Sequence, residues 1–72
     1  MNIRERIKKL NRLHFLIERK ATGNPSSLAK KLEISKATLY RYLSEMKKEG
    51  AIIKYSKDRE TYYFEEDFVL NF

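Results

Sequence analysis

The sequence predicts a mostly α-helical chain closed by a small antiparallel β-hairpin. Three observations carry that reading: apolar residues recur at helical spacing in three stretches before Gly50, the period switches to alternation after it, and turn-forming residues separate the stretches. The 72 residues are read as a single domain over 1–72, small enough to bury only roughly 60% of the surface exposed by its unfolded chain. With no cysteine to staple it, the apolar core must hold the fold alone, which fits a reducing cytoplasm. No apolar run nears the roughly 20 residues of a membrane span. The start, Met1-Asn2-Ile3-Arg4-Glu5-Arg6, lacks the apolar stretch of a signal peptide. A cytoplasmic location without membrane contact is the expectation.

The first helix is expected over about 2–20. Ile3, Ile7, Leu10, His14 and Ile17 recur at steps of four and three, and Leu13 and Leu16 widen this core-facing stripe. Arg4, Lys8, Arg12 and Arg19 project elsewhere, and Phe15 falls outside the apolar arc. Gly23-Asn24-Pro25 then stops one helix and opens the next. Glycine suits the residue after a helix, asparagine accepts N–H bonds as a cap, and proline fits the first helical position.

The second helix, over about 25–33, carries Leu28, Ala29 and Leu32 on one face and Lys30 and Lys31 off it. Ser35 is an N-cap for the third, over about 36–49, where Leu39, Leu43 and Met46 share a face with Tyr42 beside them. Gly50 ends it, and Lys47 and Lys48 suit the negative end of the helix dipole. A hairpin is expected over about 51–65: Ala51, Ile53 and Tyr55 share a strand face, Thr61-Tyr62-Tyr63-Phe64 is a second β-prone run, and Ser56–Glu60 form the polar loop. The tail, 66–72, turns from acidic to apolar. Its Phe68, Val69, Leu70 and Phe72 fit three roles: a lid under the helices, a self-association surface shared with Phe15, or the start of a following domain.

The net charge of +6 and a pI near 9.7 suggest a polyanionic partner. The distribution says more than the sum. Residues 1–20 hold seven Lys/Arg against two acids, 21–50 six against three, and 51–72 three against five, so the positive field lies on the helical part.

The stretch from Leu28 to Leu43, Leu28-Ala29-Lys30-Lys31-Leu32-Glu33-Ile34-Ser35-Lys36-Ala37-Thr38-Leu39-Tyr40-Arg41-Tyr42-Leu43, resembles a helix-turn-helix. Ala29 lets the two helices approach closely, Leu28 and Leu32 face the core, and Ile34 plugs the turn. Leu39, Tyr42 and Leu43 hold the third helix. Together with Gly23-Asn24-Pro25 and Gly50-Ala51-x-Ile53-x-Tyr55 leading to Tyr62-Tyr63, nearly the whole chain resembles the amino-terminal winged helix of bacterial transcriptional regulators. It is similar in particular to the type that in larger proteins precedes a WYL ligand-sensing domain. The resemblance implies a three-helix winged helix-turn-helix fold and sequence-specific binding of double-stranded DNA in transcriptional regulation. A homodimer is expected because one recognition helix reads only a few base pairs. No sensor domain follows within these residues, so no ligand response is implied; one is missing if the chain is a fragment. Glu33 stands where such turns usually carry glycine. A left-handed residue there costs about 1 kcal/mol or more, so a slightly different turn is expected.

The side of the third helix opposite Leu39, Leu43 and Met46 is lined by Ala37, Arg41, Ser44 and Lys48, with Lys36 and Thr38 at its start. This face is expected in the major groove. Arg41 is the favoured base reader, because its planar fork can bond guanine O6 and N7 together. Ser35, Thr38 and the backbone N–H groups at the helix start suit phosphate, and Lys36 suits either task. Tyr40 flanks the face and either packs on a sugar-phosphate backbone or covers the hairpin. By resemblance, Lys57 and Arg59 at the hairpin tip form the wing, touching an adjacent phosphate or the minor groove.

The competing reading is a protein-docking winged helix that uses the hairpin and the apolar tail. His14 has no cysteine or second histidine beside it and reads as a packed boundary residue. Tyr42, Tyr55 and Tyr62 read as packing rather than base-stacking residues. Without a convergent acid-base pair, nucleophile motif or metal-ligand spacing, no enzymatic activity, cofactor or metal is expected.

Overall fold

The computed structural model describes residues 2–69. Three helices, α1 (Ile3–Glu18), α2 (Pro25–Leu32) and α3 (Lys36–Lys48), precede two strands, β1 (Ile53–Ser56) and β2 (Thr61–Phe64), paired as an antiparallel hairpin. This is the mostly helical, three-helix-plus-hairpin architecture expected of a winged helix-turn-helix. Leu70 and Phe72 of the tail lie outside the described residues.

Each helix starts where a side chain replaces a missing backbone acceptor. Asn2 Oδ1 accepts from Glu5 N at 2.9 Å, Asn24 Oδ1 from Ser27 N at 2.8 Å, and Ser35 Oγ from Thr38 N at 3.1 Å. Each also stops in the same way. A left-handed residue follows the last turn, and two backbone bonds close backwards in a Schellman motif: Lys20 N to Ile17 O with Ala21 N to Leu16 O, Glu33 N to Lys30 O with Ile34 N to Ala29 O, and Gly50 N to Lys47 O with Ala51 N to Met46 O.

Only the third of these stops uses glycine, at φ 108°. The first falls on Lys20 at φ 55°, so α1 ends at Glu18, short of the expected reach to 20, and Gly23 sits in the loop instead of closing the helix. The second falls on Glu33, at φ 56° and ψ 46°. The turn between α2 and α3 therefore keeps the left-handed geometry that the missing glycine put in question. The glutamate adopts it because the Schellman bonds and the seating of Ile34 against the core outweigh the steric cost.

The core is a single cluster. Leu10, Leu13 and Ile17 of α1 meet Leu28, Ala29 and Leu32 of α2 and Leu39, Tyr42, Leu43 and Met46 of α3, with Ala51 and Ile53 at the start of the hairpin. Ile3 keeps its place on the apolar stripe but not the expected burial: it is 72% exposed, and the fully buried residues of α1 begin only at Leu10. Ala51 is buried as expected but precedes the strand, which begins at Ile53.

Pairing of Ile53 with Phe64 and Tyr55 with Tyr62 puts these four side chains on one hairpin face, and Lys54, Ser56, Thr61 and Tyr63 on the other. On the first face Tyr55 and Tyr62 meet edge to face, centroids 4.9 Å apart. Burial pushes the Tyr62 phenol above its usual value near 10, and the nearby phenols of Tyr40 and Tyr55 add to the shift.

A buried hydroxyl pair ties the hairpin to the α1–α2 loop. Thr22 and Thr61, both essentially inaccessible, bring their hydroxyls to 3.1 Å; Thr22 N donates to Thr61 Oγ1 at 3.2 Å and Tyr62 N to Thr22 Oγ1 at 2.8 Å. Two lysines also bind backbone carbonyls, one at a helix end and one in the α1–α2 loop. Lys9 Nζ donates to Leu32 O at 2.8 Å, and Lys31 Nζ to Ala21 O at 3.0 Å and Thr22 O at 3.2 Å. The Lys9 charge thus lies at the carbonyl end of α2, where a cation is favourable, and Lys31 fastens the loop that follows α1.

The tail folds back at its start. Phe68 packs against the core cluster with its ring near Phe64 and His14, and its carbonyl oxygen lies 2.6 Å from His14 Nε2. His14 is therefore a packed boundary residue. Phe68 takes the lid position, whereas Val69 is 74% exposed.

Candidate nucleic-acid interface

The α2–turn–α3 unit is positioned from its inner side. Leu39, Tyr42, Leu43 and Met46 anchor α3 in the core, and the bond from Ile34 N to Ala29 O holds the turn. With those positions occupied by packing, 3.6 residues per turn leaves the opposite side outward. Lys36, Ala37, Tyr40, Arg41, Ser44 and Lys48 are all exposed, and Thr38 is half-exposed. The residues named from the sequence as a reading face do share one accessible helix surface.

At the start of that surface the two hydroxyls have different duties. Ser35 Oγ accepts the capping bond from Thr38 N and donates to Thr38 Oγ1 at 3.0 Å. Its proton is thus used within the cap, whereas the Thr38 proton is directed elsewhere. Ser35 acts on a ligand through the cap, and Thr38 is the hydroxyl with a donor to offer. The capping bond leaves the N–H groups of Lys36 and Ala37 at the positive end of α3.

Tyr40 is 51% exposed, and its phenol lies close enough to that of Tyr62 to disfavour ionisation there. It stands between α3 and the hairpin, with one edge open to solvent. Lys57 and Arg59 fall in the four-residue connection from Lys57 to Glu60, where Arg59 N donates to Ser56 Oγ at 3.3 Å and Glu60 takes a left-handed φ of 50°. Both are exposed.

Charge on these surfaces is largely uncompensated. Among the described residues the ion pair formed is Arg6 with Glu45, on the flank of α3, and both members are partly exposed, so it contributes little to stability. Arg41, Lys36, Lys48, Lys57 and Arg59 have no carboxylate within ion-pair distance among those residues.

A family model described as an HTH domain matches residues 8–64, which take in α1 from Lys8 onward, the other two helices and both strands. The chain belongs to the helix-turn-helix domain family. No curated protein and no solved structure matches it. Of the two helices that flank the turn of this motif, α3 is the second. The fold and the family thus agree on a DNA-binding module. Among the described residues no helix is long and apolar enough to cross a membrane, and no group of three or more His, Cys, Asp or Glu lies together as a metal site would need.

Three features of this helix-turn-helix domain escaped the sequence reading. The Thr22–Thr61 pair joins residues 39 apart in the chain, and no periodicity signals such a contact. The bonds of Lys9 to the end of α2 and of Lys31 to the α1–α2 loop also join distant segments, and the sequence places Lys31 only off the core face of its helix. Lys20, treated only as the end of α1, lies beside the hairpin tip across an open concavity.

Proposed function

We propose that this domain binds double-stranded DNA sequence-specifically in transcriptional regulation, with α3 in the major groove and the hairpin as a wing on the backbone. The observation that carries the reading is the division of α3: one side locked in the core, the other exposing Ala37, Arg41, Ser44 and Lys48 along a single line. Arg41 reads a guanine through O6 and N7, and Ala37, one turn earlier, lets the helix approach the bases. Thr38 donates its hydroxyl to a phosphate with the N–H groups at the start of α3, which Ser35 keeps in place by capping. Lys36, Lys48 and Tyr40 flank the reading line, and Ser44 extends it.

Lys57 and Arg59 bind the backbone beyond the groove. A homodimer supplies the second half-site that one short helix cannot read. By resemblance we place the chain with bacterial regulators of the WYL type, acting in the cytoplasm, as a single domain over 1–72. The protein-docking alternative loses one anchor, because Phe68 is packed against His14 and Phe64.

Selection of bound sequences from a random duplex pool at two salt concentrations tests the reading. A recovered motif with steep salt dependence is expected, and recovery of none refutes it. Replacing Arg41 with alanine should weaken the preferred site by about 1–3 kcal/mol and relax one base position. An unchanged preference would remove Arg41 from the reading face.

A further inference from the structure

The hairpin face opposite the Tyr55–Tyr62 pair borders an open concavity of about 450 Å³. Two segments far apart in the chain line it: Lys20, past the end of α1, and the wing from Ser56 to Arg59, with Tyr63 behind them. Lys20, Lys57 and Arg59 bring three cations to this space, and Asp58 is the acid among its lining residues. No ion pair or hydrogen bond engages the three cationic side chains among the described residues. Ser56 Oγ accepts from Arg59 N, which leaves its proton able to donate.

The backbone presses Lys20 into this position. It is the left-handed residue of the α1 stop, and the next two carbonyls, of Ala21 and Thr22, are held by Lys31. Thr22 is in turn bonded to Thr61 at the base of the wing. The two sides of the concavity are thus fastened together, and its cations form no ion pair with Asp58 among the described residues.

We infer that this concavity is a phosphate-binding site for the DNA backbone, with Lys20 as a contact residue beside Lys57 and Arg59. A phosphodiester is an anion that offers only acceptors, and the site offers only uncompensated cations and hydroxyl donors around it, Asp58 excepted. It is continuous with the wing, so the inference rests on the DNA-binding reading above. It adds a residue from the α1–α2 loop to an interface otherwise drawn from α3 and the hairpin.

The test is the salt dependence of binding to the selected duplex for the wild type, Lys20→Gln, Lys20→Arg and Lys8→Gln. Each phosphate neutralised contributes about 0.9 to the slope of log K against log salt. Lys20→Gln should lose about that much, so that its deficit at 50 mM salt exceeds its deficit at 200 mM by about 3.5-fold. Lys20→Arg should keep the wild-type slope, and Lys8→Gln, on the far part of α1, should keep it too. Thermal midpoints establish that the variants are folded. A full slope in folded Lys20→Gln overturns the Lys20 assignment while leaving the α3 interface standing. Loss of slope in Lys8→Gln equal to that in Lys20→Gln overturns it as well, because the effect is then one of net charge. A wild type that binds no duplex overturns the interface reading itself.

Discussion

Replacing Glu33 with glycine should stabilise this domain. Glu33 sits at φ 56° and ψ 46° in the turn between α2 and α3, where an L-residue suffers the clash of Cβ with the following carbonyl. That clash costs about 1–2 kcal/mol. Glycine removes it but gives the unfolded chain more freedom, which takes back about 0.4–1 kcal/mol. The net gain is about 0–1.6 kcal/mol with a centre near 0.8, which at that centre is a rise of about 3–6 °C in the midpoint for a domain of this size. Nothing is lost with the side chain, which is exposed and makes no ion pair among the described residues, and the bonds from Glu33 N and Ile34 N belong to the backbone.

Thermal and urea unfolding of the wild type, Glu33→Gly and Glu33→Ala would measure the effect. Alanine keeps the clash and removes only the carboxylate, so it should stay within about 0.5 kcal/mol of wild type. A lower midpoint for Glu33→Gly, or equal gains for glycine and alanine, would refute the argument. The first would mean that the residue is not strained, and the second that the carboxylate is what destabilises.

Other expectations rest on the same contacts. Thr61→Val keeps shape but strands the Thr22 N–H, and should cost about 1–3 kcal/mol in urea unfolding. The double change with Thr22→Val should cost less than the two single costs combined, since both act on one pair. The Tyr62 phenol holds its proton more tightly folded than unfolded, so it adds no pH dependence below pH 10 and loses stability as pH rises beyond it. A thermal midpoint that falls less steeply above pH 10 in Tyr62→Phe than in the wild type is the expected signature.

The three helices and the hairpin were legible because each depends on near neighbours in the chain. Apolar residues at steps of three and four make a stripe wherever they lie, and Asn24, Ser35 and Gly50 cap helices through bonds that span only a few residues. The outward side of α3 followed for the same reason: once Leu39, Leu43 and Met46 face inward, Ala37, Arg41, Ser44 and Lys48 cannot. Ile3 shows where such reasoning ends, since its place on the stripe was right but the core beneath does not reach it.

What depended on tertiary structure was whatever required two distant segments to meet. Propensity pointed to a slightly different turn at Glu33, because the left-handed cost is local, whereas the packing of Ile34 and the bonds that oppose it form only in the folded domain. Likewise, the link between Thr22 and Thr61, and with it the convergence of Lys20 on the wing, arises from a loop and a strand almost 40 residues apart. Sequence pattern specifies elements and their faces through short-range geometry. The joining of those faces is decided by packing and by buried hydrogen bonds, which have no period along the chain.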